Sequence, residues 1–386
     1  MILDKITNDE KKQTEIAYMW LGHLRTIPVR DMNRIMNIFG SAISTFDAMY
    51  KDDKVLTGMV DANAIKPETK DEIMRDDVET WFDWNQRKRE EKSILCVTPE
   101  SESYPSRLQE LQDKPLCIYY RGDITLADSK NTLGVIGSRR PTYYGRSKTC
   151  EFVNELSARG ITVISGMAYG IDACAHDAAI KSQGKTIAVL GGGVDICYPQ
   201  TNIEIYTEMC EKHLVISEYE PEVAPIGVHF PLRNRIISGL SDGLLVAEAA
   251  MRSGTTLTVE CALEQGKTVY GIPGRISDPM SKGVNHLIKQ GAMLVDSPTD
   301  VVEDIFSESL VKPKKRRRKK IAANKEDLNL PPSEMRIIGF LGNEPTHMDE
   351  IIRKNDMKIS ETIHVLGELV NKNLVECIEK SYYVLK

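Results

Sequence analysis

Glycine and arginine recur together in this 386-residue chain, in short stretches that follow apolar runs. The stretches read GSRRPTYYG (137–145), SGMAYGID (165–172), GGGVDICYP (191–199), HFPLRNRIISG (229–239), AEAAMRSGTT (247–256) and GIPGRISDPMSKGVN (271–285). Glycine lets backbone approach a ligand closely, and consecutive N–H groups in such a turn cup an anion. Guanidinium is planar and multidentate, which suits phosphate oxygens. The arginines suited to grip phosphate are Arg139 and Arg140 after the first turn. Arg233 and Arg235 flank Asn234 in the fourth, Arg252 precedes the turn of Gly254 and Thr255 in the fifth, and Arg275 follows GIPG in the sixth. One nucleotide needs one or two such groups, so this surplus points to a longer polyanion. Neither the dinucleotide fingerprint G-x-G-x-x-G nor the Walker pattern G-x-x-x-x-G-K-[ST] is present. Tyr143, Tyr144 and Phe230 are candidates to stack on bases, with Tyr169 and Tyr198 as further ones; core packing is the alternative for each.

No catalytic set is expected. His176 follows Asp172 by four residues on one helical face, which suits a structural hydrogen bond. Asp195 and Glu218 suit loop capping, and no G-x-S-x-G elbow occurs. The eight cysteines form no C-x-x-C pair, so free thiols are expected, with no metal and no cofactor. One stretch keeps an enzyme in view. RSGTTLTVE (252–260) resembles the phosphate-and-base arrangement of phosphoribohydrolases of the "lonely guy" type, with Arg252 and Glu260 as the working pair. That family's P-G-G-x-G-T-x-x-E pattern is interrupted, because Arg252-Ser253 replace the paired small residues and Glu260 is displaced.

The elements that must carry these loops are legible from periodicity. Apolar runs at Leu133–Ile136, Thr162–Ile164, Thr186–Leu190, Leu214–Ile216, Gly243–Val246 and Thr268–Gly271 alternate with helix-length segments. This predicts an extended Rossmann-like, doubly wound α/β domain with a mostly parallel sheet over about 93–310. Ligands of such sheets sit beyond the C-terminal strand ends, which is where the glycine turns fall. Residues 1–92 read as a small helical domain, with helices in TEIAYMWLGHL, RDMNRIMNIFG and SAISTFDAM and a charged stretch of surface helices or connectors over 51–92. Residues 311–330 read as a basic linker, and 331–386 as three helices plus two strands, a winged helix.

Charge is uneven. The net value is −6, yet KPKKRRRKK (312–320) carries eight positive charges, which leaves about −14 elsewhere. Screening confines the relevant field to about 10 Å, so overall acidity does not exclude a local basic groove. The basic run itself could add phosphate contacts or serve as a solvated linker. No apolar stretch approaches the ~20 residues that span a bilayer, and the N-terminus has no signal-peptide pattern. A cytoplasmic protein without a membrane partner is expected.

Taken in order, the turns resemble those of the DNA-processing protein A (DprA/Smf) family. The residues that carry the likeness are GSRRPTYYG, SGMAYGIDACAH, LGGGVDICYP, SEY, FPLRNRIISGLSDGLLVAEA, RSGTTLT, GIPG and GVNHLIKQGA, from about 104 to 305. The resemblance implies a non-enzymatic recombination mediator. It implies binding of single-stranded DNA, homodimerisation through the α/β domain, and loading of the recombinase RecA onto strands coated by single-strand binding protein, as in natural transformation. Gly137, Ser138 and Arg139 would match the family's Gly-Ser-Arg turn and hold backbone phosphate, Arg233–Arg235 would match its R-N-R segment, and Gly166, Gly193 and Gly254 would match its glycine loops near the strand. Two departures stand out. The turn LRTIPVRDMNRI lacks the paired glycines of a helix-hairpin-helix, which implies a structural or weakly binding N-terminal module. From Asp327 onward there are ten acids and seven bases, and Glu361 and Glu368 lie on the third helix of the tail, where a groove reader would carry Arg or Lys. A third reading, a nucleotide sensor whose winged helix acts on transcription, is opposed by that acidic helix.

Overall fold

The computed structural model describes residues 2–306, 330–342, 345–379 and 381–385. The basic run 312–320 lies outside the described residues. Two compact units are present, one holding most of residues 2–306 and one holding the tail from residue 330.

The large unit is built on a nine-stranded sheet. Its strands are Leu95–Val97 (β1), Ile118–Gly122 (β2), Thr132–Ile136 (β3), Thr162–Ser165 (β4), Thr186–Val189 (β5), Leu214–Ser217 (β6), Gly243–Val246 (β7), Thr268–Gly271 (β8) and Met293–Leu294 (β9). The order is β1-β2-β6-β5-β4-β3-β7-β8-β9. From β6 to β9 all pairs are parallel, whereas β1 and β2 add an antiparallel edge. Every residue of β3 to β7 is buried, as expected of a sheet covered on both faces. Chain order runs outward in one direction from β3 through β4 and β5 to β6, then resumes on the other side of β3 with β7 and β8. The topological switch therefore lies between β3 and β7, the place where ligands of such sheets sit beyond the strand ends.

Seven helices precede the sheet, from Ile2–Ile6 to Val78–Glu91. Side chains of Asp9, Ser41, Asp52 and Asp77 cap the N-termini of four of them. Trp20 sits edge-on to both Phe46 and Tyr50, with ring centroids 4.8 and 5.6 Å away. Of the two alternatives for the charged stretch 51–92, surface helices or connectors, the structure takes the helices. The stretch forms three helices that bury Leu56, Ile73 and Trp81, and these few apolar residues are enough to fix each helix to the core. The helical core runs on into the sheet. Cys117 and Tyr119 of the segment through β2 pack with the helices, while Ile118 and Tyr120 pack with the sheet interior. Both faces of β2 are thus committed, following the period-two alternation of a strand.

The tail has its own core, centred on Ile337, Ile351, Leu366 and Leu369. Helices Pro332–Phe340, Met348–Lys354 and Ile359–Asn371 pack with a three-stranded antiparallel sheet. Two of the strands, Val375–Glu379 (β11) and Tyr382–Leu385 (β12), form the hairpin expected as a wing; the third, Thr346–His347 (β10), was not legible in the sequence. Among the described residues no helix is long and apolar enough to cross a membrane. The eight cysteines are free thiols.

Candidate nucleic-acid interface

The turn after β3 is held from three sides. The Ser138 amide donates to the Glu248 carbonyl at 2.8 Å, and the Ala247 amide donates to the Ile136 carbonyl at 3.1 Å, so the loops after β3 and β7 are joined at the switch point. The Ile171 amide donates to the Ser138 carbonyl at 3.1 Å, and the Ser138 hydroxyl accepts from the Arg140 amide at 3.0 Å. Two glycines make this possible. A Cβ on Gly137 would come within 2.7 Å of Ile171. Gly170 has φ +79°, and a Cβ there would lie 2.3 Å from the Ser138 carbonyl oxygen. The turn is therefore rigid, and it presents Arg139 and Arg140 to solvent. Neither forms an ion pair among the described residues.

Arg139 rests its guanidinium 5.5 Å from the centroid of the Phe230 ring, and Phe230 stacks on Tyr198 at 5.8 Å and 24°. Tyr198 is exposed and Phe230 half-buried. A cation over a ring beside an open aromatic face can take a phosphate and a base in succession. Tyr143 and Tyr144 open the helix Tyr143–Ala158, with Tyr144 exposed and Tyr143 half-buried; Tyr169 is exposed in the loop after β4.

Burial separates the arginines that the sequence pattern treats alike. Arg233 is 5 % exposed. Its Nη1 donates to the carbonyls of Gly166, at 2.8 Å, and of Val189. Asp172 lies close, and accepts from the amides of Gly166 and Ala168 at 3.1 and 3.3 Å. Burial pushes the Asp172 carboxyl up, while Arg233 and those amides pull it back down. Arg235 donates to Glu218 at 2.7 Å and pairs with Asp113 at 3.0 Å. Both arginines sit on the buried side of the helix His229–Leu240, with Asn234 half-buried between them. Gly166 and Gly193 are likewise engaged within the protein. A Cβ on Gly166 would meet the Arg233 guanidinium at 2.6 Å, and the Gly193 amide already donates to the Val223 carbonyl at 2.8 Å.

The loop after β7 is open. Arg252 and Gly254 are exposed, and a Cβ on Gly254 would meet nothing within 4 Å. Thr255 is buried as the first residue of the helix Thr255–Glu264, with its amide donating to the Ser253 hydroxyl at 3.2 Å. Glu260 is exposed further along that helix. No hydrogen bond joins Arg252 to the Gly-Ser-Arg turn among the described residues; the two share an edge because β3 and β7 are neighbours.

The remaining candidates are structural in geometry. His176 is fully buried, its Nδ1 bonded to the Thr186 hydroxyl at 2.7 Å, and burial takes its pKa down to about 3. Asp195 accepts from the Glu222 amide at 3.0 Å and pairs with Lys92 at 2.6 Å. Among the described residues there is no group of three or more side chains able to hold a metal ion. Sequence reasoning missed a second ring ladder. Tyr219 stacks on His229 at 4.1 Å, and Arg25 of the N-terminal helical segment lies 4.8 Å over Tyr219. Arg25 gives no local sign of this role, since its ring partner lies nearly two hundred residues away.

Comparison with known proteins agrees with the loop pattern. A family model described as DNA recombination-mediator protein A matches residues 95–306. DNA processing protein DprA of Bacillus subtilis is 39% identical over 215 residues, which is 56% of this chain and 72% of that protein. Protein Smf of Escherichia coli is 35% identical over 298 residues, 77% of this chain and 79% of its own. The X-ray structure of DprA from Streptococcus pneumoniae matches with a TM-score of 0.65 and 32% identity, over 75% of this chain and 98% of that one. A structure of DprA from Helicobacter pylori, described in terms of its single-stranded DNA binding mode, matches with a TM-score of 0.50 and 30% identity, over 54% and 94% of the two chains.

Proposed function

Since this chain belongs to the DNA recombination-mediator protein A family, we propose that it binds single-stranded DNA along the edge where β3 and β7 end, and acts there as a recombination mediator without catalytic turnover. The observation that carries the reading is the rigid Gly137-Ser138 turn, which holds Arg139 and Arg140 out to solvent beside the Phe230 and Tyr198 rings. Phosphate contacts come from Arg139 and Arg140, and from Arg252 with the open Gly254 backbone. Arg233, Arg235, Asn234, Gly166, Gly193 and Thr255 shape the floor beneath them. Phe230 and Tyr198 stack on bases, with Tyr143 and Tyr144 as further faces. Binding of this kind is salt-sensitive and nearly blind to sequence. The RecA recombinase is the downstream partner in this reading, loaded onto strands that single-strand binding protein covers, and the working species is a homodimer.

The test is fluorescence anisotropy with single- and double-stranded oligonucleotides, run beside an assay for base release from nucleoside monophosphates. Tight binding of single strands, weakened in Arg139→Ala, is the expected result, together with faster RecA assembly on strands covered by single-strand binding protein. Base release at catalytic rates that is lost in Glu260→Gln would replace this reading with that of a phosphoribohydrolase.

A further inference from the structure

A cavity of about 500 Å³ opens between the turn joining the helices Glu10–His23 and Val29–Phe39 and the segments that follow β6. Leu24, Ile27, Leu116 and Leu232 give it apolar walls, and the Tyr219–His229 stack forms one side. Its inner carboxylates are hydrogen-bonded: Glu218 and Asp113 share Arg235, and Glu220 accepts from His23 at 2.9 Å. At the mouth the balance differs. Arg25 and Arg30 are exposed and form no ion pair among the described residues; Arg25 lies over Tyr219, and Arg30 donates to the Gln112 side chain at 3.0 Å. Val228, 65% exposed, stands at the same rim.

Apolar walls beneath two exposed cations that form no ion pair among the described residues suit a ligand with a flat, weakly polar body and an anionic edge, which is the make-up of a nucleotide. The cavity adjoins the proposed strip through the first turn of the helix His229–Leu240. His229 bonds the Gly191 carbonyl at 3.2 Å, and the next residue, Phe230, carries Arg139. Two sets of rings and guanidinium groups thus meet at consecutive residues of one helix: Arg139 over Phe230, and Arg25 over Tyr219, which stacks on His229.

Resting on the single-strand reading of the strip, we propose that this cavity receives one base of the bound strand, turned out of the path of its neighbours, while Arg25 and Arg30 take the adjoining phosphate. The turn that lacks the paired glycines of a helix-hairpin-helix thereby contacts DNA through side chains instead of backbone amides.

The test uses the full chain, oligothymidylates of increasing length, and the variants Val228→Trp and Arg25→Ala. Val228 is exposed, so a tryptophan there fills the mouth without disturbing the core. Strands long enough to reach from the strip to the cavity should lose about tenfold in affinity in Val228→Trp, the loss of one stacked base, and a similar factor in Arg25→Ala, the loss of one phosphate contact. Strands too short to reach should bind as they do to the parent protein, whereas Arg139→Ala weakens every length. Thiothymidine-substituted strands should photo-crosslink to the peptide containing Leu24 to Arg30. If Val228→Trp and Arg25→Ala bind all lengths like the parent while Arg139→Ala is weakened, the cavity belongs to another occupant, such as an apolar side chain of a protein partner; the proposal falls and the strip stands. A parent protein that binds no single strand at any length overturns both.

Discussion

At the scale of single residues, what separates Arg139 from Arg233 is the partner set each finds. Arg139 meets a ring and solvent; Arg233 meets two carbonyls and lies near a buried carboxylate. Arg139→Ala should therefore leave the fold intact, lower single-strand affinity about tenfold and reduce the slope of log affinity against log salt by about 0.7, one phosphate contact. Arg233→Ala should do the reverse. It leaves the Gly166 and Val189 carbonyls and Asp172 without their cation, and breaking a buried set of this kind costs about 3–5 kcal/mol, readable as a lower urea midpoint. The stretch LRNRI gave no means of telling these arginines apart, because Arg235 is claimed by Asp113 and Glu218 from distant parts of the chain. His176 supplies a pH test. Its folded pKa is depressed to about 3, against about 6.5 when unfolded, so the unfolded chain takes up the proton first as pH falls. The stabilisation is whole above about pH 6.5 and is lost at roughly 1.4 kcal/mol per pH unit on the way down toward pH 3. His176→Gln should flatten that part of a denaturation-against-pH profile relative to the parent.

Among the elements, the six central parallel strands were legible to within a residue or so, because a strand buried on both faces must be a nearly unbroken apolar run. β1 and β2 were not, since one is three residues long and the other divides its side chains between two cores. Within 51–92 the sequence left helices and connectors both open for a related reason. Each helix there buries only a few side chains, and such sparse burial becomes visible only against the neighbour it packs on. The turn after β3 was legible as a loop, but what makes it rigid was not: Gly170 lies a whole crossover away. Gly170→Ala forces a Cβ onto the Ser138 carbonyl at a backbone conformation that disfavours side chains. It should cost on the order of 1–3 kcal/mol and weaken single-strand binding as well, since the turn must shift. Melting temperature and anisotropy on the same variant check both parts.

For the whole molecule, the tail has a separate core and an acidic third helix, with Glu361 exposed. Residues 331–386 alone should fold, yet bind duplex DNA no more tightly than millimolar at physiological salt. Micromolar binding in a gel shift would make the tail a groove reader after all. The composition-level expectation survived best where charge was read locally: a net charge of −6 coexists with exposed, uncompensated arginines along one edge.

β2 has a consequence for the large unit. A strand with both faces committed leaves no joint about which the helical segment could swing. The distance between the Arg25 turn and the Arg139 turn is then a fixed length written into the protein, and on the proposed reading it acts as a ruler for a bound strand. A ruler of this kind gives a stepwise gain in affinity at one strand length, and the step should stay at that length as temperature changes. The helices and the sheet should also melt in one calorimetric transition, because neither can be heated loose without taking β2 from the other.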